Sequence, residues 1–273
     1  MWNDVLDYNR FYRSRLGRAV RDLVQAEIRN HWPDIRGCTL VGMGYATPYM
    51  KQFEGEAERL IAVMPAHQGV THWPRGKPNR VALADETSLP FDDMSVDRLL
   101  LVHSMENSEY LRAMMRECWR VLSGHGRLLV VVPSRRGIWA RFEKTPFGHG
   151  KPYSRAQMER LLGDCLFEPL SITRGLYMPP MDFGPTLRSR DALERIGRRW
   201  FPRLGGALFV EAHKQVYAAT PARRVAFRPR LVQVPSFKPS LAGRESVVRE
   251  ETEETELTPG TDFGPGLARH RNA

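Results

Sequence analysis

Between residues 4 and 30, apolar side chains recur close to every 3.6 positions. Val5, Tyr8, Tyr12, Leu16, Val20, Leu23 and Val24 carry the period, with Arg13, Arg15, Arg18 and Arg21 between them. This spacing predicts one amphipathic helix, ended by Trp32-Pro33 and Gly37. Such a helix either packs on a domain edge or serves as a lid or substrate-binding arm. Beyond it the pattern changes to short, continuous apolar runs. Strands are predicted from Thr39 into the Gly42-Met43-Gly44 turn and over 59–64, 80–84, 96–102, 127–132, 168–177 and 207–218. Between them, helices are predicted over 48–56, 108–122, 155–162 and 191–200. Ser154 and Gln157 form a capping box for the third of these helices. In the second, Leu111, Met114, Met115, Cys118, Trp119 and Leu122 share a core-facing side, and Gly124 and Gly126 are expected to end it. Short apolar strands alternating with helices predict an α/β sheet covered on both faces.

The pattern dissolves after residue 220. Prolines at 229, 235, 239, 259 and 265 and a glutamate-rich run over 250–256 read as a disordered tail over 221–273. The remainder divides into an N-terminal helical extension, 1–36, and a main domain, 37–220. A formal charge of +10 favours an anionic contact: RNA or another polyanion, a membrane surface, or an acidic substrate. A solvated basic surface explains the charge as well; a basic patch at Arg223, Arg224, Arg228 and Arg230 could touch RNA or another polyanion but reads first as a solvated linker. Cys38, Cys118 and Cys165 are far apart, with neither metal-ligand nor redox spacing, and read as reduced thiols of a cytoplasmic protein. No signal-peptide pattern opens the chain, and the longest apolar runs are too short to span a bilayer.

Candidate chemistry begins at Leu40-Val41-Gly42-Met43-Gly44, a buried strand entering a glycine turn before Thr47-Pro48. A strand, a tight turn and a helix start form a nucleotide-binding shape. Downstream come Ala84-Asp85-Glu86 with Leu89-Pro90-Phe91, then His103-Ser104-Met105-Glu106, then Val121-Leu122 followed by Gly124 and Gly126. In order and spacing this series resembles the class I S-adenosylmethionine-dependent methyltransferases, in particular the type 11 methyltransferase domain. The resemblance is best over residues 37 to 135. It implies a doubly wound, Rossmann-like, seven-stranded and mostly parallel sheet with the last strand antiparallel. It also implies S-adenosylmethionine as cofactor, lying across the strand carboxyl ends. Gly42, Met43 and Gly44 would then pass under its methionine and ribose portions. Met64 would stand at the ribose, Asp85 and Glu86 at the adenine amine, and His103 at the end of the fourth strand.

Each position has a plainer reading. Asp85 is also a loop-start residue able to bond its own backbone. His103 is either a packed or capping histidine or a general base. Two acids of the family pattern are replaced, by Leu40 and by Met64, leaving Gln68 or His67 as substitutes at the ribose. The function implied is methyl transfer to an unidentified acceptor, with the aromatic stretch 139–153 (Trp139, His149, Tyr153) as a wall of the acceptor site. The alternative is a methyltransferase-like binding or assembly factor without turnover, RNA-associated in one version. A dinucleotide dehydrogenase fits less well, because its fingerprint needs a glycine where Thr47 stands.

Overall fold

The apolar runs form seven strands of a single sheet: β1 Thr39–Gly44, β2 Arg59–Pro65, β3 Val81–Ala84, β4 Val96–Val102, β5 Leu122–Pro133, β6 Phe167–Gly175 and β7 Ala207–Lys214. The structure is a computed structural model and describes residues 4–215. The strand order is β3-β2-β1-β4-β5-β7-β6. The first five strands pair in parallel, while β7 runs antiparallel to both β5 and β6. The order turns back at β1, where the crossovers leave on opposite sides, the place where open α/β sheets form a ligand crevice at the strand carboxyl ends.

The central strands are buried on both faces, which explains their unbroken apolar runs. Their side chains alternate between two cores. Leu40, Met64, Leu100, Leu129 and Phe209 face one layer, and Val41, Met43, Leu99, Leu101 and Val130 the other. The first layer holds the N-terminal residues. The predicted single helix is in fact two, α1 Val5–Arg13 and α2 Arg15–His31. Ser14 breaks them: its backbone is extended (ψ 166°) and its hydroxyl accepts from the Gly17 N–H at 2.9 Å. A serine offered a capping bond leaves the helical conformation. The bend is so tight that a Cβ on Gly17 would lie 1.9 Å from the Phe11 carbonyl oxygen.

The helix predicted over 48–56 is only one turn, α3 Thr47–Met50, followed by a 3-10 turn Lys51–Phe53. The second layer is covered by α4 Leu111–Val121 and by α5 Arg155–Asp164, whose capping box is present as predicted. Gly124 and Gly126 do not end α4. The chain turns extended at Leu122, and both glycines lie within β5. A short α6, Gly184–Arg188, precedes α7 Arg190–Trp200. The end of the strand predicted to 218 and the tail over 221–273 lie outside the described residues.

Polar groups tie α2 to the sheet and to α7. The buried Glu27 carboxylate accepts from Thr173 Oγ1 at 2.8 Å and from an Arg198 guanidinium nitrogen at 2.9 Å. Glu211 receives the Trp32 indole N–H and lies against His31. Burial raises both carboxyls, but their partners, Arg198 and Thr173 for Glu27 and His31 and Trp32 for Glu211, outweigh it and hold both below the ordinary value of 4.5. A depressed carboxyl contributes stability that is fully present above its unfolded value and lost as pH falls through its folded value. The melting temperature should therefore be flat from pH 7 to about pH 5 and fall once below about pH 4.5. Melts that hold level to pH 3 would remove this account.

Candidate functional site

The carboxyl ends of β1 to β4 meet at the crevice, and the two glycines of the first turn shape it. Gly44 has φ +79°, and the next amide, Tyr45 N–H, donates to the Val102 carbonyl of β4 at 2.8 Å. A Cβ on Gly44 would stand 2.3 Å from that carbonyl oxygen. A Cβ on Gly42 would stand 2.3 Å from Met50 Sδ and 2.8 Å from Ala46 Cβ. Both glycines are thus demanded by neighbouring chain, by β4 and α3, before any ligand is considered. Met43 between them is buried in the α4 layer, and Met64 and Leu40 are buried in the α2 layer.

His103 follows β4 with φ +53°, a left-handed conformation that costs a non-glycine residue of order 1 kcal/mol or more. Strain of this kind persists where the surroundings over-determine it. Here they do. His103 Nδ1 lies 3.1 Å from Glu106 Oε1, and Nε2 lies 2.7 Å from the Tyr12 hydroxyl. Tyr49 donates its hydroxyl proton to Tyr12 at 2.6 Å. With the Glu106 carboxylate only accepting, the neutral ring carries its proton on Nδ1 and accepts from Tyr12 at Nε2. The chain of donors then runs Tyr49, Tyr12, His103, Glu106, with every member buried.

An aromatic layer contributed by α1 closes over this chain. The Tyr8 ring stacks on Tyr45 at 5.0 Å and on His103 at 5.1 Å, and Tyr12 stacks on Tyr45 at 5.5 Å. Asn107 Nδ2 donates to the Tyr8 hydroxyl. Burial pushes the Tyr45 phenol up to about 12 and raises Tyr8, Tyr12 and Tyr49 as well. These hydroxyls stay protonated at neutral pH and act as hydrogen-bond groups. From the far side, Phe147 meets His103 edge-on at 4.8 Å.

The loops after β2, β3 and β4 bring further polar groups. Asp85 is exposed, and its Oδ1 accepts from the Thr87 N–H at 2.8 Å and the Thr87 hydroxyl at 2.7 Å. Those two bonds hold its carboxyl below the usual range. Its neighbour Glu86 turns inward, with Oε1 accepting from Ser108 Oγ at 2.6 Å. Glu86 Oε2, Glu106 Oε2 and Gln68 Nε2 are buried without a partner among the described residues. His67 is exposed. Of the aromatic stretch, Trp139 is fully buried and Tyr153 bonds the Met105 carbonyl. His149 bonds the Glu143 carbonyl within its own loop.

Sequence reasoning brought Gly42, Gly44, Glu86 and His103 to this crevice. It missed the tyrosines and Glu106. Tyr8 and Tyr12, four residues apart on one face of α1, were the available signal. No cluster among the described residues has the ligands for a metal ion, and no helix there is long and apolar enough to cross a membrane.

Three comparisons follow from this geometry. Residues 38–130 match the family model described as a methyltransferase domain. No curated protein matches the sequence. Among solved structures, the chain is similar to an S-adenosylmethionine-dependent methyltransferase of Thermotoga maritima, a possible histamine N-methyltransferase, at 17% identity and TM-score 0.55, covering 77% of this chain and 96% of that one. An S-adenosylmethionine-dependent methyltransferase of Archaeoglobus fulgidus aligns at 18% identity and TM-score 0.52, covering 71% and 94%. The [4+2]-cyclase SpnF aligns at 18% identity and TM-score 0.50, covering 71% and 80%. The fold is that of the class I S-adenosylmethionine-dependent methyltransferases. The cyclase is a reminder that this scaffold hosts more than one chemistry, so function must be argued from the site.

Proposed function

We propose that this chain of class I methyltransferase fold transfers a methyl group from S-adenosylmethionine, held at the carboxyl ends of β1 to β4 beneath α1, to an acceptor. The observation that carries the reading is that three of the seven unpartnered, buried side-chain polar atoms among the described residues, Gln68 Nε2, Glu86 Oε2 and Glu106 Oε2, gather at one end of the sheet. They stand on the loops after three successive strands of the crevice. Each costs about 1–3 kcal/mol while unpaired. One amide donor and two carboxylate acceptors suit a ligand carrying an amine, hydroxyls and an ammonium, so the residues fit the cofactor. When bound, the cofactor supplies an electrophilic methyl carbon on a sulfonium. Glu86 is the acceptor suited to the adenine amine, and Gln68 takes the ribose in place of the acid that Met64 replaces. Tyr8, Tyr12 and Tyr45 exclude water. His103, oriented by Glu106, holds a proton passed through Tyr12 if the acceptor must lose one.

Calorimetric titration of the full chain with S-adenosylmethionine and S-adenosylhomocysteine tests this. Micromolar binding supports it, and no binding at millimolar ligand removes it. Glu86→Gln should weaken S-adenosylhomocysteine roughly ten- to a hundredfold, the equivalent of one charged hydrogen bond of about 1.5–3 kcal/mol. Asp85→Asn should stay within about twofold, as an exposed loop residue would. The reverse ranking would return the adenine contact to Asp85.

The second reading, a binding or assembly factor without turnover, is favoured by Leu40 and Met64. Both are fully buried apolar side chains where the family pattern has acids. Cofactor binding with no methyl transfer to any acceptor that co-purifies would support it.

A further inference from the structure

A cleft of about 470 Å³ lies beside the first glycine turn, against the aromatic layer of Tyr12 and Tyr45. Four segments converge on it. Arg13 comes from the end of α1, Arg21 from α2, Lys51 from the turn after α3, and Trp73 and Arg75 from the β2–β3 loop. No aspartate or glutamate among the described residues lines it. Arg21 is paired with Asp22 at 3.0 Å, but Arg13, Lys51 and Arg75 have no carboxylate partner among the described residues. Cations gathered from separate elements raise the local positive potential and favour an anion there. Guanidinium and ammonium groups together suit a phosphate, which accepts charge-assisted bonds on several oxygens. The volume falls within the roughly 300–1,000 Å³ of small-molecule sites. The inner wall is Tyr12 and Tyr45, the same residues that cover His103, so cleft and crevice share a partition. Trp73 offers an aromatic surface on the outer side.

We propose that this cleft binds the phosphate or diphosphate group of the methyl acceptor, which is therefore a phosphorylated small molecule. The acceptor assignment rests on the transferase reading above, whereas the anion site itself does not.

The probe is inorganic pyrophosphate, titrated calorimetrically at low salt into the full chain. The comparison is a Lys51→Gln/Arg75→Gln double variant, with S-adenosylhomocysteine titrated into both proteins. Both substituted side chains are exposed, so the variant should fold. Pyrophosphate should bind the wild type with a dissociation constant below about 1 mM and the variant at least about tenfold more weakly. S-adenosylhomocysteine affinity should be the same in both. Failure of pyrophosphate to bind at about 10 mM, or equal binding by the variant, overturns the site. So does a single-stranded RNA that binds about a hundredfold more tightly, displaces pyrophosphate and loses affinity steeply with salt, because the surface then serves a polynucleotide. Pyrophosphate binding with the expected loss, but no S-adenosylhomocysteine binding to either protein, leaves the anion site standing and overturns the acceptor assignment.

Discussion

Trp139→Ala is expected to destabilise the protein by about 3–5 kcal/mol, the range for removing a large aromatic side chain from a filled core. Trp139 has no solvent exposure, and its indole N–H donates to the Met178 carbonyl at 2.6 Å. Its ring meets Phe147 edge-on at 5.8 Å, and Phe147 in turn meets His103. Gly206 lies so close beneath it that a Cβ there would stand 2.2 Å from Trp139 Cδ1. Truncation would leave a cavity and an unpaired carbonyl, and it would loosen the ring that braces His103. The sequence suggested this residue as a wall of an acceptor site. Its depth makes it a support two contacts behind the histidine. Urea unfolding checks the number, with Phe142→Ala as the control, since that ring is exposed and should cost under about 0.5 kcal/mol. A loss below about 1 kcal/mol for Trp139→Ala would refute the account. Lost methyl transfer in this variant would then report on folding as much as on the acceptor.

The strands were readable because the sheet buries both faces, so each central strand is an unbroken apolar run in the sequence. The antiparallel last strand came only from the motif series, since periodicity carries no direction. Two helix predictions failed for opposite reasons. Ser14 sits inside a helical period, and its preference for capping is invisible until Gly17 is seen to allow the bend. The segment after Thr47 keeps only one helical turn and tightens into the 3-10 turn Lys51–Phe53, a shortening that apolar spacing does not foretell. At the site, strand-end residues were legible because motifs mark where strands end. The roof was not. Tyr8 and Tyr12 carry the apolar period of α1 whether they pack on a domain edge or cover a crevice, and only tertiary contacts separate the two. Glu106 looked like one charge among many, because nothing in a sequence shows that a carboxylate is wholly buried.

Gly44→Ala is expected to be the most damaging single-methyl change in the turn, and Gly42→Ala clearly milder. Gly44 combines φ +79° with a would-be Cβ 2.3 Å from the Val102 carbonyl oxygen. That oxygen belongs to β4, which is held by β1 on one side and β5 on the other, so the obstacle is backbone and cannot swing away. The left-handed conformation costs an alanine about 1–2 kcal/mol, and the forced backbone shift adds about 1–3 kcal/mol or more. A sum of about 2–5 kcal/mol corresponds to roughly 4–20 °C of melting temperature for a domain of this size. At Gly42 the nearest atom is Met50 Sδ, the flexible end of a side chain, with Ala46 Cβ behind it at 2.8 Å. A thioether can change rotamer, so about 1–2 kcal/mol is expected there. Melts without any ligand decide the matter. If both glycines mattered only for approach to a cofactor, both variants would melt like the wild type and differ solely in S-adenosylhomocysteine affinity. If they close the turn onto β4 and α3, the two variants separate in stability before any ligand is added, with Gly44→Ala the lower. Loss of activity in Gly44→Ala is therefore no measure of cofactor contact. Glu86→Gln, which removes an inward-facing carboxylate from a loop, is.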